Sequence, residues 1–158
     1  MRILGIDPGI ARAGWGIIEK EKTDFHAIAF DCIQTDSKRN IPDRLLTIYQ
    51  QVIHIIDIHE PEVLAIEELF FNTNAKTAFI VGQARGVILL AAAAKKIPSV
   101  VYTPLQVKVA LTGYGRAEKM QVGKMVKVLL KLSTIPSPDD TADALAVALT
   151  HGFFVKSH

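Results

Sequence analysis

Apolar and polar positions follow two periods along this chain. Residues 2–6 form a short, mostly apolar, β-permissive run, read as a strand buried on both faces. The run stops on Asp7, and Pro8-Gly9 then turns the chain. Residues 13–19 and 23–34 read as two more strands. The first carries Gly and Ala that allow close backbone approach. The second places Phe25, Ala27 and Ala29 on one face and Ile28, Phe30 and Cys32 on the other. Short connections predict an antiparallel meander. After a polar linker at 36–40, the period changes. Leu45, Ile48, Tyr49, Val52, Ile55 and Ile56 mark an amphipathic helix that opens near Pro42 and ends near residues 59–61. Residues 62–67 are a fourth strand, apolar until it too stops on a carboxylate, Glu67.

Asn74 is placed to cap a long helix reaching about Lys96. Gly82 and Gly86 lie four apart on it, a flat stripe expected to lie tight on the sheet rather than at a subunit contact. Residues 99–103 read as a fifth strand, 104–111 as a short helix, 112–117 as a loop, 118–132 as a helix, 133–138 as a turn and 140–153 as the last helix. This order predicts an α/β fold in one domain, 1–158. Its mixed five-stranded sheet has three antiparallel strands, then two parallel ones, with helices on both faces. Strands one and four then lie side by side, and Asp7 stands next to Glu67 at the strand ends where open α/β sheets place their ligands.

Composition narrows the class without naming a function. Of 158 residues, 49% are hydrophobic and 22% charged, which suits a globular core and argues against disorder. The net charge of +2 does not announce a nucleic-acid binder. A single cysteine, Cys32, excludes an intrachain disulfide and suits a reducing cytoplasm. Residues 1–2 lead straight into a strand, so no secretory signal is expected. The apolar run 86–94 is half a bilayer span and is followed by two lysines, so no membrane is expected either.

The acids are more informative. Carboxylates at neighbouring strand ends repel unless a cation or proton intervenes. Asp140 and Asp143 are three apart and share a helical face, and Asp143 sits in the small, apolar run 142–149. Helix capping and the helix dipole account well for Asp139 and partly for Asp140, but poorly for Asp143. Convergence of Asp7, Glu67, Asp140 and Asp143 on divalent cations accounts for all four. Oxygen-only donors select hard ions such as Mg²⁺ or Mn²⁺, and a pair of them can clamp a phosphodiester. Glu67 rather than Glu68 is expected to face Asp7, because side chains alternate along a strand. The five histidines show no ligand spacing.

Between residues 104 and 132, six basic residues (Lys108, Arg116, Lys119, Lys124, Lys127 and Lys131) face one acid, Glu118. A helix face with Lys124, Lys127 and Lys131, opposite Val122, Met125, Val126 and Leu129, suits phosphate contact, although a basic helix face is often only solvated surface. Phe70-Phe71, just beyond Glu67, suit stacking on unpaired bases or wedging a junction; tucking one of them into the core is the simpler alternative.

Four blocks now occur in order: Gly5-Ile6-Asp7-Pro8-Gly9, Ala65-Ile66-Glu67-Glu68-Leu69-Phe70, Gly82-Gln83-Ala84-Arg85-Gly86 and Asp140-Thr141-Ala142-Asp143-Ala144-Leu145-Ala146. Together they resemble the RuvC family of Holliday junction resolvases over essentially the whole chain. The resemblance implies a ribonuclease H-like fold and a homodimer using Mg²⁺. The implied activity is paired symmetric nicking of four-way DNA junctions, alongside a branch-migration helicase complex of RuvA–RuvB type, in recombination and repair. It implies Asp7, Glu67, Asp140 and Asp143 as catalytic metal-binding acids, with Asp140 the one some relatives replace by histidine. It implies Phe70 as the aromatic at the junction centre, and Lys108 and Lys119 as basic residues near the scissile phosphates. Arg116 and Lys124 are further candidates for DNA contact from the basic segment. Two alternatives stand beside it: a related nuclease acting on RNA, and a junction-binding protein that never cuts.

Overall fold

A computed structural model describes residues 1–68 and 74–155. The chain runs β1 (Arg2–Asp7), β2 (Arg12–Glu21), β3 (Asp24–Gln34), α1 (Ile41–His59), β4 (Val63–Glu67), α2 (Ala75–Ala94), β5 (Ser99–Tyr102), α3 (Pro104–Thr112), α4 (Lys119–Leu129) and α5 (Asp139–Phe154). Local chemistry explains several boundaries. Asn40 caps α1 by accepting from the Asp43 amide, and Asn74 caps α2 by accepting from the amides of Lys76 and Thr77. Thr103 and Gln106 close a capping box on α3.

The sheet order is β3-β2-β1-β4-β5, antiparallel across the first three strands and parallel from β1 to β5. One apolar layer joins Leu4, Ile6, Ile17, Leu64 and Ile66 to α1 and α2. The other joins Ile3, Ile18, Val63 and Ala65 to α3, α4 and α5. Helix α2 is long and apolar enough to cross a membrane by length and composition. Here Ala84, Ile88, Ala91 and Ala92 bury one face of it in the first of these layers.

Three expectations need correction. Ile17 pairs with Ala29 but Ile18 pairs with Ala27, so Ile28 is an extra residue on β3. The bulge reverses the alternation, and Ala29 therefore faces away from the side that Phe25 and Ala27 share. Among the described residues nothing lies within 4 Å of a Cβ built on Gly82 or Gly86, so their stripe does not rest on the sheet. Finally, α4 stops at Leu129, and Lys131 lies beyond it with a φ of 54°, reaching Asp24 at 3.7 Å. The basic helix face is reduced to Lys124 and Lys127.

Candidate active site

Glycines bring the last helix to the strand ends. Gly5 pairs with Gly16 and Asp7 with Gly14, so all four point to the α5 side. A Cβ on Gly5 would collide with the Ala144 carbonyl oxygen, and one on Gly14 with that of Asp140. No other residue allows this approach. It lays the first turns of α5, with Asp140 and Asp143, against the end of β1. On the other side, β1 and β4 pair in parallel with Ile6 opposite Ile66, and the same register sets Glu67 beside Asp7. Glu68 is exposed.

The acids feel one another. Burial, then the charges of Asp143, Glu67 and Asp140, push Asp7 up to about 8. Burial, then Asp143, pushes Glu67 up to about 7, against the pull of Lys119 and Lys108. Burial also raises Asp143, although a hydrogen bond from Lys119 opposes it. Lys119 Nζ donates to Asp143 Oδ2 at 2.8 Å and lies 3.6 Å from Asp139 Oδ2. Arg12 Nε lies 3.4 Å from Asp140 Oδ2. A cavity of about 230 Å³ is lined by Glu67, Lys108, Lys119 and Asp143, with Pro104, Val107, Val122 and Ala146 as its apolar walls.

The structure therefore brings together the four predicted acids and two of the predicted bases, Lys108 and Lys119. Arg116 and Lys124 are exposed and do not line this cavity. Phe70 and Phe71 lie outside the described residues. Arg12 and Asp139, ion partners of the site, were not anticipated. The only sequence signal for Arg12 is its place just past the Asp7 turn.

Among the described residues, no three His, Cys, Asp or Glu side chains are gathered as a ready-made metal cage. The donor chemistry nevertheless fits a hard divalent ion. All donors are carboxylates, and crowding makes their joint ionisation unfavourable without a cation. Such an ion would displace the protons that Asp7 and Glu67 hold more tightly than usual.

A mixed sheet of this order, with acids at the ends of two adjacent strands and on the packed helix, defines a ribonuclease H-like nuclease scaffold. The family model for crossover junction endodeoxyribonuclease RuvC matches residues 3–151, and the chain belongs to the RuvC family. The RuvC of Caldicellulosiruptor saccharolyticus is 55% identical over 152 residues, covering 96% of this chain and 92% of that protein. Thermus thermophilus RuvC superposes with a TM-score of 0.90 at 37% identity, over 98% of this chain and 95% of that one. Its structure in complex with a Holliday junction substrate gives the same TM-score at 35% identity, over 98% and 94%. The yeast mitochondrial Holliday junction resolvase Ydc2, at 12% identity and a TM-score of 0.70 over 95% of this chain and 78% of that one, shares the fold.

Proposed function

We propose that this chain is a Holliday junction-resolving endonuclease that hydrolyses phosphodiesters in four-way DNA. Its catalytic and metal-binding acids are Asp7, Glu67, Asp140 and Asp143. The observation that carries the reading is that four carboxylates from three elements lie within one another's electrostatic reach, two of them (Glu67 and Asp143) lining one cleft with Lys108 and Lys119, within a chain of the RuvC family.

The cofactor is Mg²⁺, with Mn²⁺ able to replace it, and two ions per site. When bound, they polarise the scissile phosphate and offset the charge that builds on its oxygens. The protein supplies the rest. Asp7 and Glu67, fixed on paired strands, and Asp140 and Asp143, fixed on α5, form two walls that set where the phosphate sits. Lys108 and Lys119 meet the negatively charged strand, and Arg12 holds Asp140 in place. Hydrolysis joins a water oxygen to phosphorus as the bond to the leaving sugar oxygen breaks. Phe70 stacks at the junction centre, while Arg116 and Lys124 contact backbone farther out.

The working unit is a homodimer, because two symmetric nicks require two sites facing opposite strands. The face of α2 bearing Phe79, Gly82, Gly86 and Leu90 supports this. Those residues recur at helical spacing, Phe79 and Leu90 are exposed, and among the described residues nothing lies against the glycines. The protein acts in the cytoplasm alongside a RuvA–RuvB-type branch-migration complex in recombination and repair.

The deciding experiment offers a labelled synthetic four-way junction, linear duplex and RNA to the purified protein, with Mg²⁺ or with EDTA. Paired nicks in the junction alone, and only with Mg²⁺, are expected. Equal cutting of duplex or RNA would overturn the junction reading, and binding without nicking would make the protein a junction binder.

A further inference from the structure

Lys119 opens α4, where the helix dipole disfavours a positive charge. Its position is explained by its partners on α5: Asp143 at 2.8 Å and Asp139 at 3.6 Å. The side chain is also a partition. Lys119 and Asp143 line both the catalytic cavity and a second one, of about 350 Å³, bounded by Met120, Ile135, Pro136 and Asp139. The same ammonium offsets the charges of Asp7 and Glu67 as well as Asp143. It is 59% exposed on a flexible four-carbon stem, whereas Asp143 is 24% exposed and fixed on a packed helix. The lysine is the partner free to leave.

Building on the proposed function, we infer that Lys119 is the resident counter-cation of the acid cluster in the metal-free, DNA-free protein: it occupies Asp143 until a divalent ion takes that carboxylate, and the released ammonium then turns to the DNA phosphate. Lysine and metal ion compete for one carboxylate, so the protein without DNA binds metal more weakly than its four acids would allow. A phosphate that draws Lys119 away raises metal affinity, and by reciprocity the metal raises affinity for DNA.

The test is a calorimetric Mn²⁺ titration of DNA-free protein, comparing wild type, Lys119→Met and Lys108→Met, with circular dichroism to confirm folding. Lys108 lines the same cavity but, among the described residues, forms no ion pair with these acids. Lys119→Met is expected to bind Mn²⁺ at least about fivefold more tightly than wild type, the lower end of ordinary coupling between sites. Lys108→Met should gain clearly less. If Lys119→Met binds no more tightly, or if Lys108→Met gains as much, the competition is absent and only a general field remains. Failure of all three proteins to bind Mn²⁺ would overturn the metal site itself, a result distinct from loss of the competition.

Discussion

Toward α1 and α2, the sheet presents Leu4, Ile6, Ile17, Leu64 and Ile66, all fully buried. Toward α5, the same strands present Ile3, Ile18 and Val63 at one end, then Gly5, Gly14, Gly16 and Ala65, and finally Asp7 and Glu67. Large side chains fill the first face and hold its helices at ordinary packing distance, about 8–10 Å between axes for helix pairs. On the second face side-chain volume is given up, and α5 backbone touches strand backbone. The first arrangement stabilises by excluding water from apolar surface. The second converts small residues into proximity, and proximity puts like charges together. Both faces carry an apolar core, and only the strand ends of the second hold the unstable charge arrangement that function requires.

The largest expected effect comes from changing charge on the second face alone. Asp7→Asn keeps size and shape, so folding and junction binding should survive. Single-turnover nicking of a four-way junction should fall by about a hundredfold or more, since even the outer partners of metal ligands cost 10–100-fold. If binding falls in step with nicking, Asp7 is holding structure and the separation of the two faces is wrong.

Much of this division was legible in the residues. Strand ends on Asp7 and Glu67 follow from apolar runs that stop on a carboxylate, and Asp143 announces itself as a charge in an otherwise apolar helix. Other features were not legible, for physical reasons. Alternation along residues 23–34 is equally good with or without an extra residue, so the Ile28 bulge leaves no mark. A stripe of glycines looks the same against a sheet or against open space, which misplaced Gly82 and Gly86. Helical spacing carries Lys131 onto α4, although the chain has already turned left-handed there. The pairings of Lys119 with Asp139 and of Arg12 with Asp140 depend on which loop meets the start of α5. That is a tertiary fact with no local period.

Steric changes on each face sharpen the contrast. Leu4→Ala opens a cavity among α1 and α2 side chains and should cost about 2–5 kcal/mol in urea unfolding. The fraction that remains folded should nick at the wild-type rate. Gly14→Ala should cost at least as much, because its new Cβ meets the backbone of Asp140 and Thr141 rather than a side chain that can turn aside, and the start of a packed helix must shift to make room. That shift moves Asp140 and Asp143 away from Asp7, so its nicking rate should fall further than its stability implies. Equal rates for the two folded variants would mean that close approach of α5 is not what sets the site.

The smallest effect is a slope against pH, and it distinguishes the faces without any substrate. In EDTA, Asp7 is raised from 3.8 to about 8 and Glu67 from 4.5 to about 7, mainly by burial. An acid raised on folding binds its proton more tightly in the native state. Its contribution is therefore complete below the unfolded value, about 4, and is lost as pH rises through the folded one. The metal-free protein should lose stability between about pH 4 and pH 8 and then level off. Added Mg²⁺, which favours the ionised acids, should stabilise most at the upper end of that window. Asp7→Asn removes the Asp7 share, so its stability should decline less steeply and exceed that of wild type near pH 8 in EDTA. Leu4→Ala should instead give a curve parallel to wild type, displaced downward at every pH. Urea midpoints measured at intervals from pH 5 to pH 8.5 separate the two behaviours. Parallel curves for Asp7→Asn and wild type would mean that the buried acid carries no charge strain, and the contrast between the faces would be one of packing alone.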